Sequence, residues 1–243
     1  FSKAIKSYFD NPESVWLYAY ENSLNRFTQY SLLVLLTMGT PVKVEALEEG
    51  IVSFLRINQY KYQIPFDPIM FNRSLKELEN TFIKTQKDSY NEVVIEYQNP
   101  SIQDFLVNYL KGKKDLIASL LGSIVFEEQF FNVFTTNTKE DNSLKRKILL
   151  DKENQLIAFK RLEEKHCELN KCRALRFKLS NSESFSWSVN SRTKYQFLNQ
   201  ILSELGSNSE YVEKFVKEKF SDVIYIDELS YSEQSAYLEL LKK

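Results

Sequence analysis

The feature that most constrains this fold is the segment from residue 93 to residue 106, where a β-rich run meets a helix start with no loop between them. Asn99 is a favoured residue for capping a helix N-terminus, and Pro100 suits the first helical position. Ser101 follows, and Asp104 can accept hydrogen bonds from free amides of the first turn. Apolar side chains then recur at helical spacing at Ile102, Phe105, Leu106, Tyr109 and Leu110. The segment predicts a rigid strand-to-helix corner that holds Asn99 and Ser101 in fixed directions.

The composition indicates a mainly helical protein. The chain has 243 residues, of which 43% are hydrophobic, with five Gly and five Pro, so long regular elements outnumber tight turns. Because the net charge is −1, no global field draws the molecule towards nucleic acid or anionic lipid. No apolar run approaches the roughly 20 residues that span a bilayer, and the start lacks the apolar centre of a signal peptide. These observations predict a cytoplasmic protein without a membrane partner, and Phe1, in place of an initiator Met, predicts that further residues precede it.

Candidate metal ligands and nucleophiles are few. His166 is the only histidine, and Cys167 and Cys172 are the only cysteines. Three ligands in this spacing fall short of a closed zinc site, which takes four, so we predict no metal and two reduced thiols. The chain also lacks a Gly-x-Ser-x-Gly motif, and an enzyme with an unfamiliar site is disfavoured because no set of polar residues converges in the sequence.

The order of elements in the first half is that of a winged-helix domain. Apolar periodicity predicts a helix that begins near Pro12, and then three helices over residues 27–38, 44–55 and 71–86. A β element follows over residues 93–98. In a winged helix the third helix packs across the first two and a hairpin forms the wing. The predicted fold class is therefore mainly α, with a winged-helix domain that carries a small β wing and is followed by a helical C-terminal domain.

A polar stretch separates two predicted domains. Residues 135–143 contain no apolar side chain, which is typical of a boundary, so we predict domains over residues 1–136 and 140–243. A helix is expected to carry the apolar residues Ile148, Leu149, Leu156, Phe159 and Leu162, and the alternation over residues 185–189 predicts a short strand or an extended docking segment. Further helices are predicted over residues 195–205, 211–220 and 232–241. Their spacing is compatible with a helical-repeat array, although the sequence shows no fixed period.

Four patterns, taken in order, resemble the region that follows the ATPase core in the novel STAND group of NTPases, which are signal-transducing switches. The patterns are Asn11-Pro12-x3-Trp16, the apolar run from Leu32 to Leu36, the spacing of Leu75, Leu78 and Phe82, and Asn-Pro-Ser-x-x-Asp-Phe-Leu at residues 99–106. The last pattern is the most specific. The resemblance covers about residues 1–134, and the rest of the chain carries no motif of that group.

The resemblance implies a winged-helix domain that closes over a nucleotide held by a preceding P-loop module. In related switches a histidine at this corner contacts the bound ADP, and here Asn99 stands at that place, with Ser101 beside it. An Asn side chain can donate a hydrogen bond to phosphate but has no titratable charge. Helix capping alone already explains Asn99, Pro100 and Ser101, and Asn is a preferred N-cap residue regardless of ligand.

This chain contains no P-loop of its own, because its glycines at positions 39, 50, 112, 122 and 206 are scattered. The pair Asp227-Glu228 follows an apolar run as in a Walker B strand, but without a P-loop it predicts only a solvated strand end. We therefore expect no cofactor in this chain. By resemblance, ATP or ADP is bound by an upstream P-loop module of the same protein.

The leading hypothesis is a non-catalytic regulatory and sensing portion of a STAND-type NTPase switch in bacterial antiviral defence. Its expected partners are the upstream module, a trigger such as a protein, and other copies of the switch on activation. The alternative is a winged-helix DNA-binding regulator with a C-terminal ligand or dimerisation domain. It would use Arg73, Lys76, Lys84 and Lys87. Glu77 and Glu79 mix acidic groups into the same predicted helix, which favours a solvated face over a nucleic-acid partner.

Overall fold

The computed structural model describes residues 12–87, 92–126, 128–136, 147–169, 176–179 and 185–188, and it is mainly helical with a small antiparallel sheet. The helices are α1 (Pro12–Ser23), α2 (Arg26–Met38), α3 (Val44–Ile57), α4 (Gln59–Tyr62), α5 (Pro68–Leu78), α6 (Pro100–Leu110), α7 (Lys114–Gly122), α8 (Glu128–Val133) and α9 (Lys152–Leu169). The strands are β1 (Val42–Lys43), β2 (Ile83–Lys87), β3 (Val93–Tyr97), β4 (Phe134–Thr135), β5 (Ile148–Leu149), β6 (Arg176–Leu179) and β7 (Phe185–Ser188). None of the described helices combines the length and the apolar character needed to cross a bilayer.

Helix α2 lies at the centre of the core. Asn25 caps its start by accepting a hydrogen bond from Thr28 N at 3.1 Å, and Gly39 ends it with a φ of 74°, which favours glycine. Leu32, Leu33, Val34, Leu35 and Leu36 are all at most 1% exposed. Since these side chains point in every direction around the axis, α2 is covered on all sides, mainly by α3, α5, α6 and α8.

The central sheet has the strand order β1-β3-β2, with both pairs antiparallel. Val42 of β1 and Thr85 of β2 both lie opposite Ile95 of β3. Because β1 is inserted between α2 and α3, its pairing with β3 ties the helices to the hairpin of β2 and β3. The side chain of Ile95 is fully buried between sheet and helices.

The prediction of one helix over residues 71–86 was wrong for the second half of that range. Helix α5 starts earlier, because Asp67 caps it by accepting from Ile69 N at 2.8 Å and Pro68 takes the first position, and it ends at Leu78. Asn80 then adopts a positive φ of 63°, which breaks the helix. Residues 83–87 form β2 instead of a helix, since pairing with β3 satisfies their backbone groups.

The helix predicted to include Ile148 and Leu149 was also wrong at its start. These two residues form β5, which pairs in parallel with β4, and α9 begins only at Lys152. Asp151 caps that helix by accepting from Asn154 N at 2.9 Å.

The hydrophobic core includes residues that precede and residues that follow the predicted boundary. Helix α9 packs on α7, and Arg161 Nε donates to the carbonyl of Ile124 at 2.9 Å. The side chains of Ala158 and Leu162 are fully buried in the same cluster as the side chains around α2. The division into two domains stays a prediction, since residues 137–146 lie outside the described residues. The helices predicted over residues 195–205, 211–220 and 232–241 also lie outside them.

A buried amide joins α8 to the C-terminal end of α2. Gln129 is 2% exposed, and its Oε1 accepts from Val125 N at 2.8 Å and from Phe126 N at 3.0 Å. Its Nε2 donates to Thr37 Oγ1 at 3.0 Å. Because both ends of this buried amide are bonded, the network fixes the position of α8 without leaving a polar group unpaired.

The crossing of α2 and α3 gives a test of core packing. A Cβ added at Gly50 would lie 3.0 Å from both Met38 Sδ and Val34 Cγ1, whereas a Cβ at Gly122 would meet nothing within 4 Å. We expect Gly50→Val to lower the free energy of unfolding by about 2 kcal/mol through overpacking. Gly122→Val, the matched control, should change it by less than about 1 kcal/mol. Urea denaturation followed by circular dichroism measures both, and equal losses would contradict this account.

Candidate functional site

The strand-to-helix corner is the candidate site, and local sequence builds it. Strand β3 ends at Tyr97 and α6 begins at Pro100, so two residues separate them. Asn99 has an extended backbone, with φ −144° and ψ 138°, and its Oδ1 accepts from Ser101 N at 2.9 Å. Asn99 is therefore the N-cap residue of α6, and Pro100 occupies the first helical position as the sequence predicts.

The hydroxyl of Ser101 has a partner that sequence reasoning missed. Trp16 Nε1, on α1, donates to Ser101 Oγ at 3.1 Å. The indole ring also packs against Phe82, with ring centroids 5.6 Å apart. Helix α1 therefore lies across the start of α6 and is tied to the corner. The one available signal was that Trp16 and Ser101 both belong to the patterns of the STAND resemblance.

The amide nitrogen of Asn99 is a group at the corner that can reach an external ligand. The residue is exposed, and among the residues that the structure describes Nδ2 has no hydrogen-bond partner. It lies at the N-terminus of an 11-residue helix, where the partial positive charge of the helix dipole favours an anion. Asp104, by contrast, is half-buried one turn into α6. The corner therefore offers a neutral donor next to a positive helix end.

Tyr97, the last residue of β3, is buried next to the corner in sequence. Its side chain is 8% exposed, and its hydroxyl has no hydrogen-bond partner among the described residues. Burial raises the pKa of Tyr97 well above its ordinary value, because the phenolate would lose its hydration. The hydroxyl is a polar group buried without compensation.

The four basic residues of the DNA-binding alternative lie on two different elements. Arg73 and Lys76 are exposed on α5, but Lys84 and Lys87 are on β2, because the predicted helix ends early. Lys84 Nζ lies 2.9 Å from Glu96 Oε2 on the neighbouring strand, which offsets its charge. The structure therefore does not place all four residues on one helix face.

The predicted absence of a metal stays a prediction. Among the described residues, no three His, Cys, Asp or Glu side chains are grouped so that they could hold a metal ion. His166 and Cys167 lie on α9, while Cys172, Asp227 and Glu228 lie outside the described residues. Comparisons of the chain with protein families, with curated proteins and with solved structures found no match.

The capping role of Asn99 can be tested by stability. Asn99→Ala removes the acceptor for Ser101 N, and we expect it to lower the free energy of unfolding by about 1 kcal/mol. Asn99→Asp keeps an acceptor of the same length and should stay within about 0.5 kcal/mol of the wild type. Chemical denaturation of the three proteins at pH 7 gives the comparison. If Asn99→Ala has no effect, the cap contributes nothing to stability.

The buried hydroxyl of Tyr97 predicts a loss of stability at alkaline pH. The pKa of Tyr97 is raised in the folded protein, whereas an unfolded Tyr titrates near about 10. Stability is therefore fully present below about pH 10 and falls above it, by about 1.4 kcal/mol per pH unit for one proton. Tyr97→Phe should remove the contribution of Tyr97 to the fall of the free energy of unfolding above about pH 10. The substitution should not lower stability at pH 7, because the lost hydroxyl has no hydrogen-bond partner among the described residues.

Urea denaturation between pH 7 and pH 11 measures both effects of Tyr97→Phe. Tyr60→Phe serves as the control, because the side chain of Tyr60 is 97% exposed. A Tyr97→Phe protein that is several kcal/mol less stable at pH 7 would show that the hydroxyl has a partner after all.

Proposed function

We propose that this chain is the regulatory, non-catalytic portion of a STAND-type NTPase switch. In this proposal residues 1–136 contain a winged-helix region that docks on an upstream P-loop module, and residues 140–243 sense the trigger. The role in bacterial antiviral defence comes from the sequence resemblance. The observation that carries the proposal is the corner at Asn99, which follows a three-stranded sheet and is tied to α1.

The order of the elements supports a winged helix. Helix α2, strand β1, helices α3 and α5, and strands β2 and β3 follow one another along the chain, with the four-residue α4 inserted before α5. Strand β3 lies between β1 and β2 in the sheet, and α2 packs against both α3 and α5. A winged helix has the same sequence of three helices, a short strand between the first two, and a terminal hairpin. The hairpin of β2 and β3 would be the wing.

The corner supports the nucleotide-sensing role because Asn99 and Ser101 each carry a donor that has no acceptor among the described residues. Asn99 uses Oδ1 for the cap, which leaves Nδ2 to donate to a phosphate oxygen. Ser101 Oγ accepts from Trp16 Nε1, which positions the hydroxyl, and its O–H can still donate to a phosphate oxygen. A neutral amide gives a weaker contact with phosphate than a charged group would. The resting state would therefore depend on several contacts, of which the contact of Asn99 is one.

The contact between Trp16 and Ser101 supports a mechanical link. Helix α1 precedes the winged-helix elements. The hydrogen bond from its Trp16 indole to Ser101 joins two residues that are 85 positions apart in the sequence. A movement of α1 would therefore move the start of α6. In the proposed switch, the nucleotide-bound module holds the corner closed, and the trigger binds better to the open form and shifts the population towards it.

The test uses the longer protein that contains the P-loop module. Asn99→Asp keeps the helix cap but replaces the amide donor with a carboxylate that repels phosphate, so we expect ADP affinity to fall by about tenfold or more. Isothermal titration calorimetry measures that affinity. Asn108→Asp makes the same chemical change at an exposed position of α6 and is the matched control. Unchanged ADP binding by Asn99→Asp would leave Asn99 as a helix cap alone.

A further inference from the structure

We infer that Glu79 blocks the outer edge of the central sheet against strand addition by a second copy of this chain. The outer edge is the side of β2 that faces away from β3. The inference concerns self-association through the sheet. It does not depend on the proposed switch, since it needs neither a nucleotide nor a trigger.

Strand β2 carries the longer open edge of the central sheet. It has five residues and lies at one end of the order β1-β3-β2, so it pairs with β3 on one side only. Strand β1, at the other end, has two residues and is followed directly by α3. A strand of five residues is of ordinary length for pairing, and open edges of this kind are starting points for aggregation. The outer edge of β2 is therefore the side of the sheet that needs protection.

The register of the ladder determines which backbone groups face outward. The carbonyl of Phe82 accepts from Gln98 N at 3.0 Å, so these two residues form a hydrogen-bonded pair. Bonded and non-bonded pairs alternate along an antiparallel ladder, and every second residue after Phe82 therefore bonds to β3. The residues whose backbone groups point away from β3 are Ile83, Thr85 and Lys87.

The link between α5 and β2 occupies two of these outward groups. Glu79, the residue after α5, accepts from Thr85 N at 3.1 Å and from Thr85 Oγ1 at 3.0 Å. Asn80 N donates to the carbonyl of Ile83 at 2.9 Å. The positive φ of Asn80, 63°, turns the chain back, and Glu79 and Ile83 form an isolated bridge. A second chain would need the same N–H and the same carbonyl for its own ladder.

The carboxylate of Glu79 is a strong block because it is charged. Hydrogen bonds to a carboxylate are stronger than those between neutral groups, and breaking them would leave a half-buried charge without its donors. The carboxylate also takes the place of the carbonyl oxygen that an added strand would present to Thr85 N. An added strand would therefore have to displace the carboxylate before it could pair.

A second copy of β2 fits the outer edge once the block is removed. Two copies can pair antiparallel about a two-fold axis at Thr85. In this register Lys84 lies opposite Gln86 and Lys87 lies opposite Ile83, so no like charges face each other directly. Each copy offers the same groups, so every bond is made twice, as in the isologous interface of a dimer.

The experiment measures self-association of the whole 243-residue chain by sedimentation velocity over a range of protein concentrations. Glu79→Ala removes both contacts with Thr85, and we expect the dissociation constant of the dimer to fall by about tenfold or more. Glu79→Gln keeps a side-chain carbonyl that can accept from Thr85 N, so its dissociation constant should stay within about threefold of the wild type.

Glu77→Ala is the control for a general loss of stability. It also removes a carboxylate that accepts two hydrogen bonds, but these come from Asn25 and Thr28 near α2 and not from the outer edge. The dissociation constant of this variant should equal that of the wild type. Circular dichroism checks that each variant folds.

A second substitution assigns the association of Glu79→Ala to the outer edge. Thr85→Pro removes the N–H that an added strand needs, and Pro is tolerated on an edge strand where the N–H faces outward. Glu79→Ala combined with Thr85→Pro should therefore associate no more strongly than the wild type. Hydrogen exchange of Glu79→Ala gives a second readout, because the Thr85 amide should become protected only as the protein concentration rises.

Three outcomes would overturn the inference. If Glu79→Ala associates no more strongly than the wild type, the contacts of Glu79 support the turn alone. If Glu77→Ala associates as strongly as Glu79→Ala, destabilisation is the cause. If Glu79→Ala associates while exchange of the Thr85 amide stays independent of concentration, the copies meet at another surface.

Discussion

Burial of α2 on all sides is the constraint on which the other described elements depend. The five consecutive apolar residues from Leu32 to Leu36 leave this helix without a solvated face, and each such side chain would cost about 1.5 to 3 kcal/mol if exposed. Helices α3, α5, α6 and α8 must therefore cover it, each with one apolar side. Gln129 and its bonds at the end of α2 then fix how α8 fits.

In α5 and α6, the side chains that stabilise the core are separate from the side chains that are exposed. Helices α3, α5 and α6 use one side for the core and keep exposed residues on the other, whereas no residue of α8 is exposed. In α5 the outer side carries Arg73 and Lys76, whereas in α6 the exposed end carries Asn99. Both sets of side chains therefore lie on helices that the core holds in place. The contact between Trp16 and Ser101 ties α1 to the second of these helices.

Local signals predicted the parts of the fold that local physics determines. The apolar run and Gly39 located α2, and Asn99 with Pro100 located the start of α6. The same reasoning failed for residues 83–87, because Leu75, Leu78 and Phe82 happen to have helical spacing although Phe82 lies beyond the helix end. The pairing of residues 83–87 with β3 is a long-range interaction, and the local sequence pattern does not reveal it. The prediction of where α9 starts was wrong for the same reason, because Ile148 and Leu149 form β5 by pairing with the distant strand β4.

By itself the sequence determined that the protein is mainly helical, where its central helix lies, and that a cap holds the corner. These follow from periodicity and from hydrogen bonds between residues two or three positions apart. Only the tertiary structure decided which distant side chains meet, both at the corner and between α5 and α2. Trp16 bonds to Ser101 across 85 positions, and Glu77 bonds to Thr28 across 49. Such partners are chosen by how helices pack around a shared core, because packing brings together side chains whose sequence separation carries no signal.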